Sequence, residues 1–185
     1  MTIPNFLTIL RVLLTPVLVI LLLEERLSEA LFVFIIAGVT DGLDGLIARL
    51  YKQKSRLGAF LDPLADKLLL ATTYVILAYQ SMVPSWLTVI VLSRDVLIVL
   101  GVFVLFMQDL PFEIKPTLAS KLTTCTQIIT AIVTMATALA APHPLLKHIL
   151  FYLTGAVTIV SWGQYMVRGV RIMQKAGHTQ KDSRQ

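Results

Sequence analysis

Four aspartates, Asp41, Asp44, Asp62 and Asp66, stand at the edges of long apolar runs within residues 40–67, TDGLDGLIARLYKQKSRLGAFLDPLADK. One aspartate at such a place reads ordinarily as a solvated helix cap. Four together ask for more, because a carboxylate near hydrocarbon is costly and persists where it is paired, faces an interior and does work. The spacing brings them into phase. Asp41, Asp44, Gly45 and Ala48 follow steps of three, four and seven, which stack on one face of a helix. Gly58, Asp62 and Asp66 follow steps of four, on one face of the next helix. Two such acidic faces joined by a basic turn repel each other unless a cation sits between them. An all-oxygen ligand set without histidine or cysteine suits Mg²⁺ or Mn²⁺, and four carboxylates suit two divalent ions and a phosphorylated ligand. Gly45 and Gly58 leave room for that ligand beside the backbone, and Arg49 offers a cation to its phosphate oxygens. Lys67 has three readings: a substrate contact, a counter-ion to Asp66 or Asp62, or a chain that snorkels.

The elements that must hold these residues are apolar helices. Of 185 residues 56% are hydrophobic and 15% charged, against about 25% charged in an average soluble chain, which excludes an ordinary soluble domain. A bilayer span needs about 20 apolar residues, so the chain has room for six spans and little else. The apolar runs place them at 6–23, 30–50, 60–80, 86–107, 118–141 and 147–168. Basic residues fall on alternate connections: Arg49, Lys52, Lys54 and Arg56; then Lys115 and Lys121; then Arg168, Arg171, Lys175, Lys181 and Arg184. The other side has only Arg26 and Lys147. Both termini are therefore expected in the cytoplasm, as an even number of spans requires. That placement also accounts for the net charge of +5 without nucleic acid. The expected architecture is all-α and polytopic, a six-helix transmembrane domain over residues 1–173 followed by a polar tail, 174–185, that frays. The first run lacks a basic leader and a small-residue cleavage site, so it reads as a retained span. Cys125, the only cysteine, cannot form an intramolecular disulfide and is expected to pack in a helix.

Asp41-x2-Asp44-Gly45-x2-Ala48-Arg49-x8-Gly58-x3-Asp62-x3-Asp66 resembles, at all eight defined positions across 26 residues, the signature of the CDP-alcohol phosphotransferase family of integral membrane enzymes. The opening, Ile3-Pro4-Asn5-Phe6-Leu7-Thr8-x2-Arg11, is similar to that of its phosphatidylglycerophosphate synthases and CDP-alcohol-type cardiolipin synthases. The resemblance implies transfer of a phosphatidyl group from CDP-diacylglycerol to a hydroxyl, with release of CMP, by a homodimer of six-helix chains with the site at the cytoplasmic face, here in a bacterial inner membrane. It implies Asp41, Asp44 and Asp62 as metal ligands, and Asp66 as completing the second metal site and acting as general base. It implies Gly45, Ala48, Arg49 and Gly58 as the lining of the CDP site.

The acceptor is read from cations in the later spans. Arg94 interrupts an apolar run, so it should face the interior and pair, either with the aspartates or with an anionic acceptor. Asp95 is not its obvious partner, since adjacent residues do not share a helix face. Lys115 and Lys121, with Arg11 or Arg168, are further candidates for an anion pocket, although such residues commonly snorkel. The family resemblance favours glycerol 3-phosphate, giving phosphatidylglycerophosphate; Ser93-Arg94-Asp95-Val96 and Lys115-Pro116-Thr117-x2-Ser120-Lys121 resemble instead the cardiolipin synthases, whose acceptor is phosphatidylglycerol. Inositol phosphate and serine stay open as acceptors. The competing class is a cation-binding transporter subunit, against which stands the clustering of the acidic residues at one face. Asn5 and Thr8 are open between nucleotide contact and helix cap, Trp86, Trp162 and Tyr165 read as anchors or packing, and Pro16 as a bend; His143 is given no catalytic role.

Overall fold

The computed structural model describes residues 3–51, 56–107, 118–139 and 144–182, with side chains described over 9–40, 67–98, 100, 119–139 and 145–167. Six helices occupy these residues: α1 (Ile3–Leu23), α2 (Leu27–Tyr51), α3 (Arg56–Tyr79), α4 (Ser85–Met107), α5 (Leu118–Leu139) and α6 (Pro144–Asp182). No strand occurs among the described residues. Each helix coincides with an apolar run read from the sequence, to within a few residues at most ends. The exception is α6, which continues as helix to Asp182 where a frayed tail from Gln174 was expected. Residues 174–182 contain no proline and only one glycine, Gly177, so nothing in them forces a helix to stop.

Contacts between side chains fix the directions of the helices. Thr88 Oγ1 donates to the Tyr74 carbonyl at 3.3 Å, and Lys67 Nζ reaches Asp95 Oδ1 at 3.4 Å. Each step along α3 is thus matched by an equal step back along α4, and the two are antiparallel. In α5 and α6, Thr130 Oγ1 and Thr154 Oγ1 lie 2.7 Å apart while Thr123 Oγ1 donates to Val157 O at 3.4 Å, again an antiparallel register. By contrast α4 and α6 run parallel: Trp86 stacks on Tyr152 with ring centroids 5.6 Å apart, and farther along both helices Arg94 Nη2 donates to Ser161 Oγ at 3.3 Å. Gly155 makes the first of these contacts possible. A Cβ there would lie 2.8 Å from the Trp86 ring, so the indole rests directly against the α6 backbone.

Two turns are closed without glycine. After α1, Arg26 N donates to Leu21 O (2.9 Å) and Glu25 N to Leu22 O (3.1 Å), with Glu25 at φ 60°. After α3, Met82 N donates to Leu77 O (2.8 Å) and Ser81 N to Ala78 O (3.0 Å), with Ser81 at φ 59°. Both are Schellman closures, in which a left-handed residue lets the chain satisfy the last helical carbonyls. Gln80 Nε2 ties them together by donating to Leu22 O. The exposed Arg26 links back to Glu24 at 3.6 Å and bonds Glu29, Nε to Oε1 at 3.0 Å, which holds its guanidinium above the usual basicity.

Leu18, Leu22, Phe34, Leu69, Leu70, Tyr74, Leu77, Leu87 and Val91 form the buried apolar centre among α1 to α4. The contact between α5 and α6 is different in kind: Thr123, Gln127, Thr130 and Thr134 line one face of α5, Thr154, Thr158 and Ser161 one face of α6, and all are buried. Small polar residues let helix backbones approach and bond across the contact. Cys125, expected to pack, is exposed on α5, on the side of the helix opposite this buried face.

Candidate active site

Asp41, Asp44, Gly45, Ala48 and Arg49 fall in the C-terminal half of α2, and Gly58, Asp62 and Asp66 in the N-terminal half of α3. Their side chains lie outside the described residues. The backbone places both groups on continuous helices that adjoin the same short connection, 52–55. Helical order holds up to the first aspartate, since Thr40 Oγ1 donates to Ile36 O and Ala37 O, each at 2.9 Å. Helix α1 packs against both α2 and α3, so it backs the pair that carries the carboxylates.

Arg11 on α1 is completely buried. Leu22 on α1 meets Gln80 in the turn that ends α3, and the same count of residues back along the two helices brings Arg11 level with Leu69, within a turn of Asp66. A guanidinium is very seldom buried without anionic company, and the helices on which α1 packs are those bearing the aspartates.

The later cations converge on a second polar node. Asp95 Oδ1 accepts from Arg94 Nη1 at 2.6 Å and from Lys67 Nζ at 3.4 Å, while the Asp95 carbonyl accepts from Lys67 Nζ at 3.4 Å. Arg94 Nη2 donates to Ser120 Oγ on α5 at 2.7 Å as well as to Ser161 on α6, and the guanidinium carbon lies 5.7 Å from the Tyr165 ring centre. Arg94 is therefore interior and paired, as expected, but its carboxylate is Asp95, against the expectation from their adjacency. Side chains of neighbouring residues leave a helix about 100° apart, and the long arginine side chain folds back across that gap. None of the three readings of Lys67 named its described carboxylate partner, which is Asp95. With Arg94 at 4% and Asp95 at 10% side-chain exposure, the pair is buried at the junction of α3, α4, α5 and α6.

Lys121 is exposed on α5, next to Ser120 in sequence. Lys115 and His143 lie outside the described residues, and the side chains of Asn5, Thr8 and Arg168 do as well. What the sequence reading missed is Asp95 as the hub and the Ser120 and Ser161 hydroxyls as arginine acceptors. Ser161 had a signal available: with Thr154 and Thr158 it marks a polar stripe at helical spacing on an apolar helix.

The donor chemistry near the connection fits a hard divalent cation. Neither α2 nor α3 contains histidine or cysteine, and Asp41, Asp44, Asp62 and Asp66 are the carboxylates their adjoining halves provide.

Among the described residues the chain is all-helical, with the acidic halves of α2 and α3 adjoining one connection and buried arginines on α1 and α4. Its family is shown by comparison: residues 1–160 match the family model described as CDP-alcohol phosphatidyltransferase, and the chain belongs to that family. It is 43% identical over 157 residues to a rat protein named cardiolipin synthase (CMP-forming), covering 76% of this chain and 51% of that one. It is 39% identical over 194 residues to the human protein of the same name, covering 94% of this chain and 63% of the relative. It is also 44% identical over 102 residues to a Haemophilus influenzae protein named CDP-diacylglycerol--glycerol-3-phosphate 3-phosphatidyltransferase, covering 52% of this chain and 55% of that one. The chain thus spans between half and just under two thirds of the length of these curated relatives.

Proposed function

We propose that this chain transfers the phosphatidyl group of CDP-diacylglycerol to a hydroxyl of phosphatidylglycerol, releasing CMP and forming cardiolipin. The observation that carries the activity is the eight-position pattern from Asp41 to Asp66, divided between the end of α2 and the start of α3. The acceptor is chosen on coverage, since the relatives named cardiolipin synthase align with 76% and 94% of the chain. Glycerol 3-phosphate, the acceptor favoured from the sequence, becomes the second reading, supported by the Haemophilus influenzae relative.

In this reading Asp41, Asp44 and Asp62 hold divalent ions, Mg²⁺ or Mn²⁺, with Asp66 completing the second site. When bound, two such ions neutralise the pyrophosphate and favour departure of CMP. Asp66 takes the proton from the acceptor hydroxyl as its oxygen bonds to the phosphatidyl phosphorus and the bond to the CMP oxygen breaks, CMP leaving with the electron pair. Arg49 faces the pyrophosphate charge, and Gly45, Ala48 and Gly58 give the nucleotide close access to backbone. Arg94, Lys115 and Lys121 are proposed for the anionic part of the acceptor.

We further propose six membrane spans within a domain of residues 1–173, with both termini and the acidic cluster at the cytoplasmic face, in a homodimer. Ala119–Leu139 and Leu145–Val167 are long and apolar enough to cross a bilayer by length and composition. Large apolar side chains stand exposed on the single chain, among them Phe32 at 67% and Leu145 at 75%, which supports a hydrocarbon surround for the other helices too.

The test is CMP release by purified protein in detergent with CDP-diacylglycerol and Mg²⁺, offering phosphatidylglycerol, glycerol 3-phosphate, inositol phosphate and serine separately. The expected outcome is release with phosphatidylglycerol, abolished by chelation and reduced at least about 1,000-fold by Asp66→Asn. Release with glycerol 3-phosphate alone moves the second reading to first place. No release with any acceptor, from folded protein that binds Mn²⁺, overturns the enzyme reading in favour of a cation-binding transporter subunit.

A further inference from the structure

We propose that Asp95 is a positioning residue which, by clasping Lys67 and Arg94 together, sets the rotation of α3 and so the direction of its acidic face. The inference rests on the functional reading given above. Asp95 takes two cations at once, Arg94 Nη1 at 2.6 Å and Lys67 Nζ at 3.4 Å, and holds the lysine a second time through its carbonyl. Lys67 is the residue after Asp66. On a helix of about 3.6 residues per turn, position 66 lies about 100° and position 62 about 140° around the axis from position 67. Lys67 is pinned to α4, so a rotation of α3 that freed the lysine would carry positions 62 and 66 with it.

The clasp is itself anchored. Arg94 is fastened by Ser120 on α5 and Ser161 on α6, so the reference against which α3 is set is a three-helix frame and not one neighbouring side chain. Its charge balance matters as well. A lysine one residue from a proposed metal ligand is a competitor for that ligand's carboxylate, and a buried carboxylate on another helix removes the competitor. Asp95 does both tasks with one group.

The test measures Mn²⁺ binding to the detergent-solubilised full chain without substrates, by the loss of the free-ion electron paramagnetic resonance signal. It is run beside the dependence of CMP release on Mg²⁺ and on acceptor. The variants are Asp95→Asn, Asp95→Glu, Lys67→Gln and the double variant Lys67→Gln/Asp95→Asn. Asp95→Asn is expected to weaken Mn²⁺ binding about 10-fold and to raise the Mg²⁺ concentration for half-maximal rate by a similar factor, with kcat at saturating Mg²⁺ reduced less. Asp95→Glu restores most of both, and the double variant binds Mn²⁺ better than Asp95→Asn because the freed lysine is gone. Lys67→Gln leaves Asp95 paired with Arg94 and keeps the inference testable if Asp95→Asn does not fold; it too should weaken Mn²⁺ binding, through lost registration of α3. Wild-type binding and Mg²⁺ dependence in folded Asp95→Asn and Lys67→Gln overturn the clasp and leave the activity standing. Wild-type protein that neither binds Mn²⁺ nor releases CMP overturns the activity, and the role of the clasp with it.

Discussion

Buried hydroxyls do at single positions what apolar side chains do elsewhere in the molecule. Thr130 and Thr154 meet at 2.7 Å with no access to solvent, and Tyr74 Oη donates to the Gln127 carbonyl at 3.0 Å. In the membrane setting proposed above such a bond is worth little more than in water, because an unfolded but inserted chain also finds partners. Thr130→Val and Thr154→Val should each cost about 1 kcal/mol, and the double variant less than the two together by about 0.6 kcal/mol. Unfolding of the four proteins in mixed detergent micelles measures that coupling; strict additivity would mean the two hydroxyls do not act as a pair. These threonines were not read from the sequence as a set, since isolated threonines in apolar runs pass for filler. The aspartate pattern stands out in the sequence because Asp41 and Asp44 sit three residues apart and Asp62 and Asp66 four. Asp95 as hub was not, because Lys67 is 28 residues away and Ser161 is 67 from Arg94, separations that become contacts once α3 and α6 have docked on α4.

At the scale of elements, the apolar runs located all six helices because a long apolar segment satisfies its own backbone as a helix. The turns were harder to foresee: both closures use a left-handed residue that is not glycine. Glu25 and Ser81 at φ near 60° carry a Cβ into a region that disfavours it. Ser81→Gly and Glu25→Gly should each stabilise the protein by up to about 1 kcal/mol, and Ser81→Val should destabilise it by at least as much. Thermal unfolding midpoints check the sign. A lower midpoint for Ser81→Gly would show that flexibility gained by the unfolded chain outweighs the relief of strain.

For the whole molecule, the directions of the helices carry the topology. Helices α3 and α4 are antiparallel, α5 and α6 are antiparallel, and α4 and α6 are parallel, the alternation that the six proposed crossings would require. In a variant with Cys125→Ser, single cysteines placed at Lys54 and at Lys181 should be labelled by a membrane-impermeant maleimide from the same side, and one placed at Arg26 from the other. Labelling of positions 54 and 181 from opposite sides would break the six-span assignment. The basic connections predict which side each position faces, because lysine and arginine resist translocation, and the labelling tests that prediction. The extension of α6 to Asp182 was not readable, since a polar helix end lacks the apolar periodicity by which its spanning part was recognised.

The parallel pair α4 and α6 is pinned at two places, Trp86 on Tyr152 and Arg94 on Ser161, about 12 Å apart along α4. Two pins on two rods make a vernier. One alanine inserted between Leu87 and Ser93 swings everything beyond it by about 100° and advances it about 1.5 Å, so the aromatic pin and the arginine pin can no longer both engage. A second alanine between Leu153 and Val160 equalises the lengths but turns the far part of α6 by about 100° as well, so the facing sides stay apart. Folded yield by size-exclusion chromatography should therefore fall for either insertion alone and stay low for both together, making rotation as well as length between fixed points a quantity that this pair of helices measures.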